Sequence, residues 1–176
     1  MLKTTNKPKE IPAWAKRQKS GDEIIFDGRL RRYRADLLGG CFRCADREDN
    51  AIGASLKCQI FDHRWITQSR YGHGNQPYFD IAFIDEQLCV SCLSLSRDSA
   101  INLAEWLRNL AIGEEVVFSE AICAILDMEK VPTESGTPYH VVFVKDWEFV
   151  DEKQFQSVSK FKKSPKYLDN QWQGVY

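Results

Sequence analysis

The chain has 176 residues, 43% of them hydrophobic and 28% charged, with a formal charge of −1. That length suits one domain with a core plus tails, and it excludes two ordinary domains. No apolar run is long enough to cross a bilayer, and the start MLKTTNKPKEIPAW lacks the hydrophobic middle of a secretory signal, so a soluble, cytoplasmic protein with no membrane contact is expected. Six cysteines are too few for a disulfide scaffold and are read as reduced thiols.

The small net charge conceals a division. Residues 1–20 carry six Lys/Arg against Glu10, and residues 151–176 carry five Lys against three carboxylates. Arg29 to Arg70 holds nine basic residues against five acidic, whereas Tyr71 to Val150 holds four against thirteen. A polyanion is therefore drawn to the tails and to the first half of the body, and repelled by the second half.

Residues 1–20, with Pro8, Pro12 and many lysines, cannot supply a core element and read as a flexible basic arm, with Trp14 free to anchor on the body or on a partner. From Asp22 the run EIIFDGRLRRYR alternates. Ile24, Phe26, Gly28 and Leu30 form a buried-type face, with Asp27, Arg29, Arg31 and Tyr33 opposite. A turn-rich stretch from Gly39 to Gly53 follows. The next strand, SLKCQIFDHRWIT, sets Leu56, Cys58 and Ile60 on one side and Lys57, Phe61, His63 and Trp65 on the other. Large rings on a wet face mark a contact surface or a second packed layer. QSRYGHGNQP is a hairpin loop carrying Arg70, Tyr71 and His73.

PYFDIAFIDEQLCVSCLSLS is a long extended run in which Asp85, Glu86 and Gln87 form either a dividing turn or a water-exposed edge. Ser96 to Gly113 is the one strong helix signal of the folded part. Ala100, Leu103, Ala104, Leu107 and Leu110 fall on one face, Ser96 can cap the start and Gly113 can end the last turn. Two further strand regions, EEVVFSEAICAILDMEKV and YHVVFVKDWEFV, flank a turn at PTESGTP. In the tail 151–176, Phe155, Phe161, Tyr167 and Trp172 interleave with lysines. Such a segment either tracks a nucleic-acid backbone or wraps the body and buries its rings.

Three strand regions, one helix and two strand regions make a mainly β, α+β chain. That order resembles the five-stranded OB-fold barrel with its helix between strands three and four. The resemblance covers residues 21–150, flanked by the basic arm 1–20 and the Lys/aromatic tail 151–176. It implies an oligonucleotide-binding face on strands and flanking loops.

The residues that fit single-stranded nucleic acid are Arg29, Arg31, Arg32, Tyr33 and Arg34 of the first strand, Lys57, Phe61, His63 and Trp65 of the second, and Arg70 and Tyr71 of the loop. Cations meet phosphates and rings stack on bases. The chain is thus expected to be a non-catalytic nucleic-acid-binding module for single-stranded DNA or RNA. The alternative is an accessory subunit of a larger complex that binds a protein partner through residues 1–20 and 151–176. None of His63, His73 and His140 lies in a nucleophile or metallohydrolase motif, so no enzyme and no cofactor is expected. Cys41 with Cys44, and Cys89 with Cys92, have zinc-knuckle spacing. Buried structural thiols are the default, because residues three apart on a strand point to opposite faces.

Overall fold

The strand Leu56–Gln68 organises the sheet, because its thirteen residues are divided between two neighbours on one of its edges and the other. The computed structural model describes residues 24–46, 51–70, 72–112, 115–133 and 136–172. In chain order the strands are β1 (Arg31–Asp36), β2 (Cys41–Cys44), β3 (Ala51–Gly53), β4 (Leu56–Gln68), β5 (Gln76–Ile84) and β6 (Val90–Ser96). Helix α1 (Arg97–Arg108) follows, then the short strands β7 (Ala111–Ile112) and β8 (Glu115–Val116) and a 3-10 turn at Ser119–Ala121. The chain ends in β9 (Ile122–Val131), β10 (Tyr139–Phe149) and helices α2 (Glu152–Lys162) and α3 (Pro165–Leu168).

The chain is mainly β with few helices, as expected. Among the described residues one curled, open sheet has the order β10-β9-β4-β5-β6-β1-β2-β3, eight strands where five were expected. The run through Asp85 is divided: β5 and β6 form a hairpin whose turn is tied by the Asp85 carboxylate, which accepts the backbone N–H groups of Gln87 and Cys89. The first two strands expected from the sequence, which are β1 and β4, are not neighbours. β1 lies parallel to β6, with Tyr33 beside Leu93, so β5 and β6 separate it from β4. Helix α1 stops at Arg108, earlier than Gly113, because residues 111–112 and 115–116 pair as a hairpin.

The two faces of the sheet are covered differently. On the inner face Leu56, Cys58, Ile60, Phe79, Ile81 and Leu93 pack with Ala100, Leu103 and Ala104 of α1. On the outer face Phe26, Leu30, Phe61, Ala82, Ile84 and Cys92 pack with Val158 of α2 and Tyr167 of α3. Asp151 caps α2 by accepting the Gln154 N–H, and Ser164 before Pro165 starts α3, so the lysine-rich tail is two helices with one apolar face.

A β-bulge lies between Ile60 and Asp62: Ile60 pairs with Phe83 and Asp62 with Ala82, which leaves Phe61 as the extra residue. Phe61, opposite Ile60 by ordinary alternation, lies in the outer core against Tyr167 at a ring separation of 5.1 Å and Phe161 at 5.9 Å. Beyond the bulge the alternation is reversed, so His63 and Trp65 share the inner face with Leu56 and Ile60 rather than opposing it.

The curl brings β10 round to the β1–β2 turn. The His140 N–H donates to the Leu37 carbonyl at 2.8 Å, and the His140 ring lies where a Cβ on Gly40 would stand. Gly40 has φ +64 and its built Cβ would fall 2.7 Å from His140 Nε2, so glycine meets both the backbone and the space requirement. Phe61→Ala is expected to cost about 3–5 kcal/mol in urea unfolding. Trp65→Ala, at a side chain 50% exposed, is expected to cost about 1 kcal/mol or less.

Candidate nucleic-acid interface

Register places a row of polar side chains across the outer face. Arg64 of β4 is opposite Asp80 of β5, and Asp80 is opposite Ser94 of β6. One residue beyond the Tyr33–Leu93 pair comes Arg34 of β1, which is opposite Arg43 of β2. Strands stand about 4.8 Å apart, so five of them carry this row over about 19 Å. Arg70, from the loop after β4, joins at Asp80, and Arg32 lies on the same face as Arg34.

The left part of the row is a buried ion cluster. Asp80 is fully buried and accepts from Arg70 at 2.8 and 3.2 Å and from Arg64 at 3.2 Å, with the Ser94 hydroxyl on its other oxygen. Arg70 also lies over the Tyr78 ring at 5.0 Å, and Arg64 lies under the Trp172 indole at 4.5 Å. Both guanidinium groups thus stand against the Asp80 carboxylate. The right part is open. Arg32 and Arg34 are exposed, and Arg43 is half-exposed with Asp36 at 3.1 Å. The Arg32 backbone N–H donates to Asp46. The Asp36 carboxyl sits below its usual range because the Gly39 N–H binds it, with Arg43 and Arg34 adding to the effect. On this face the Arg64 and Arg70 guanidinium groups meet Asp80 and that of Arg43 meets Asp36, while Asp46 takes the Arg32 backbone N–H.

Several residues expected at an interface stand elsewhere. Tyr33 is buried on the inner face, where its hydroxyl donates to Asp85 at 3.0 Å; burial, with Asp85 beside it, raises its pKa well above the usual phenol range. Arg31 is on that face too, bonded to Asp85 at 3.2 Å and to Gln87 at 2.6 Å. Phe61 is in the outer core. His63 and Trp65 stay exposed at the rim of the inner face, their rings 5.5 and 5.0 Å from Phe79. Lys57 faces Glu148 at 3.7 Å. Arg29 is exposed beside Asp27, at the mouth of a cleft of about 200 Å³ that Arg31, Asp46 and Cys89 also line. Tyr71, like the arm 1–20, lies outside the described residues.

The structure therefore brings Arg32, Arg34 and Arg70 to one face and separates them from Arg31, Tyr33, His63 and Trp65. Arg43 and Arg64 belong to the face and were not expected there; Arg43 sits inside CFRC, where the cysteines draw the eye. Those cysteines do not converge with the second pair. Cys44 packs in the inner core and Cys92 in the outer one, where burial, with Asp80 adding, pushes its thiol up to about 12. Among the described residues no group of three or more His, Cys, Asp or Glu could hold a metal ion.

No protein-family model, curated protein or solved structure matches this chain.

Two measurements probe the site's framework. Asp80→Asn leaves the Arg64 and Arg70 guanidinium groups under-compensated and is expected to destabilise by about 3–5 kcal/mol in urea unfolding. The Tyr167 phenol, which donates to Asp62 at 2.7 Å, is raised by burial and then by Asp62. Tyr33 is raised likewise, so both phenols hold their protons more tightly folded than unfolded. Their contribution is complete below about pH 10 and is lost as pH rises further. The urea midpoint should fall above about pH 10, and the fall should be shallower in Tyr167→Phe.

Proposed function

We propose that the protein is a non-catalytic module that holds single-stranded DNA or RNA across the outer face of β5, β6, β1 and β2. The observation that carries this reading is the arginine row. Arg34 and Arg32 offer open guanidinium groups beside the half-exposed Arg43–Asp36 pair, and phosphates are the natural counter-charge for such an array. Trp172 supplies a ring at the other end, already stacked on Arg64, where a base could join a cation and an aromatic surface.

Connectivity also supports it. The meander β4-β5-β6, the helix α1 and the hairpin β9-β10, with β9 returning to pair with β4, follow the chain order of an OB-like core to which β1–β3 are added. In OB folds the face of the second and third strands binds oligonucleotides, and the reading gives that role to β5 and β6. The apolar half of that face is taken by α2 and α3, which leaves the arginine half open.

Fluorescence anisotropy with labelled oligo-dT and oligo-U is the test. Binding should weaken steeply with salt, and Arg34→Ala should lower the slope of log K against log salt by about 0.7, the share of one phosphate on a single strand. Arg34→Glu combined with Arg32→Glu should abolish binding with the urea midpoint retained. The absence of an anisotropy change at low salt, or binding indifferent to those charge reversals, would overturn the reading.

A further inference from the structure

The edge strand β10 is covered along one half and open along the other. In the covered half, His140 donates to Leu37, the Val142 N–H donates to the Ser99 hydroxyl at 3.0 Å, and the Val142 carbonyl accepts from Asn102 at 3.4 Å. Beyond a second bulge at Lys145, residues Lys145 to Phe149 are exposed without exception, and no described strand pairs with their outer edge. Val150 turns its N–H to Ala121, so Phe149 and Trp147 turn theirs outward. The Trp147 N–H is met by the Asp146 carboxylate. Trp147 and Phe149 stand together on one face, their rings 5.4 Å apart and edge to face, while Asp146 and Glu148 occupy the other. A free edge of this kind is a template for one more strand.

We infer that the open half of β10 is a strand-addition site for an extended basic segment, and that its occupant is the amino-terminal arm of this protein. Charge chooses between occupants. A second copy of β10 laid antiparallel about Trp147 would set Asp146 against Glu148, a like-charge pair that disfavours the contact. The arm carries six Lys/Arg against Glu10, and Arg17 and Lys19 alternate in the chain as Asp146 and Glu148 do, with Trp14 and Lys16 on the opposite parity. Glu148 already has Lys57 at 3.7 Å, so one side of the arm can meet Asp146 while the other meets the rings.

Amide exchange of the full chain, followed by NMR, tests the inference independently of nucleic-acid binding. The Phe149 amide is expected to be protected in the unaltered protein and to exchange about tenfold faster or more in Arg17→Glu/Lys19→Glu, with the Val142 amide unchanged as a control for folding. Adding Asp146→Lys/Glu148→Lys to those substitutions should restore protection. Concentration-dependent protection would assign the arm to a second copy and concentration-independent protection to the same chain; both support the site. A Phe149 amide that is unprotected from the start, or whose protection ignores the arm's charges, overturns it.

Discussion

One extra residue in β4 determines how the two faces of the sheet are used. Phe61 has no partner of its own in the β4–β5 ladder, and the bulge it makes puts Phe61 and Asp62 in succession on the outer face, behind Ile60 in the inner core. Without it, Asp62 and Arg64 would turn to the inner face and His63 and Trp65 to the outer, since a one-residue slip reverses every later side chain. The Tyr167–Asp62 bond, the Arg64–Asp80 pair and the Trp172–Arg64 stack all rest on that reversal. Bulges also tighten right-handed twist, which helps a sheet of this width curl far enough for His140 to reach Leu37.

The outer face is divided along its strands rather than between them. At the hairpin end of β5 and β6, Ala82, Ile84, Val90 and Cys92 are small or aliphatic, and α2 and α3 lie over them with Val158 and Tyr167. Toward the other end Asp80 and Ser94 replace aliphatics, and arginines from β4 and the following loop close over the carboxylate. A fully buried Asp is tolerable only because its charge is met at short range. The helices thus end where the arginines begin, and the chemistry of the covering layer marks the limits of the open face.

Much of this was legible locally and little of it non-locally. The limits of β4 and the buried Ala100, Leu103 and Ala104 of α1 follow from periodicity, whereas at Asp85 the pattern allowed a turn or a wet edge and the structure makes it a turn. Every guanidinium of the row lies between Arg29 and Arg70, the segment whose excess of basic residues stood out. Which arginines share a face could not be read there. Tyr33 and Arg31 share a parity that looks outward from the alternation of Phe26 and Leu30, but the regular strand starts only at Arg31, and Ile25 makes a single bridge to Cys89. A parallel β1–β6 pair joins residues about sixty apart, which no local pattern announces. The tail was read by its lysines; Asp151 before Gln154 and Ser164 before Pro165 were the capping signals that mark two helices.

The molecule carries two surfaces of opposite sign, and that arrangement couples them. An arm docked on Asp146 and Glu148 is neutralised there, so the arginine row alone would attract a polyanion. A released arm adds its own six cations to that attraction. If the outer face holds nucleic acid as proposed and the arm docks as inferred, the two compete for the same lysines and arginines, and a ligand that gains from the freed arm disfavours docking by the same free energy. Salt weakens both contacts, but unequally: a polyanion releases condensed counterions on binding, whereas a strand pairing keeps its backbone hydrogen bonds and its ring contacts when charges are screened. Rising salt should thus shift the arm toward β10 even as it lowers the charge attraction that helped place it there, and the edge would be most open when the outer face is occupied.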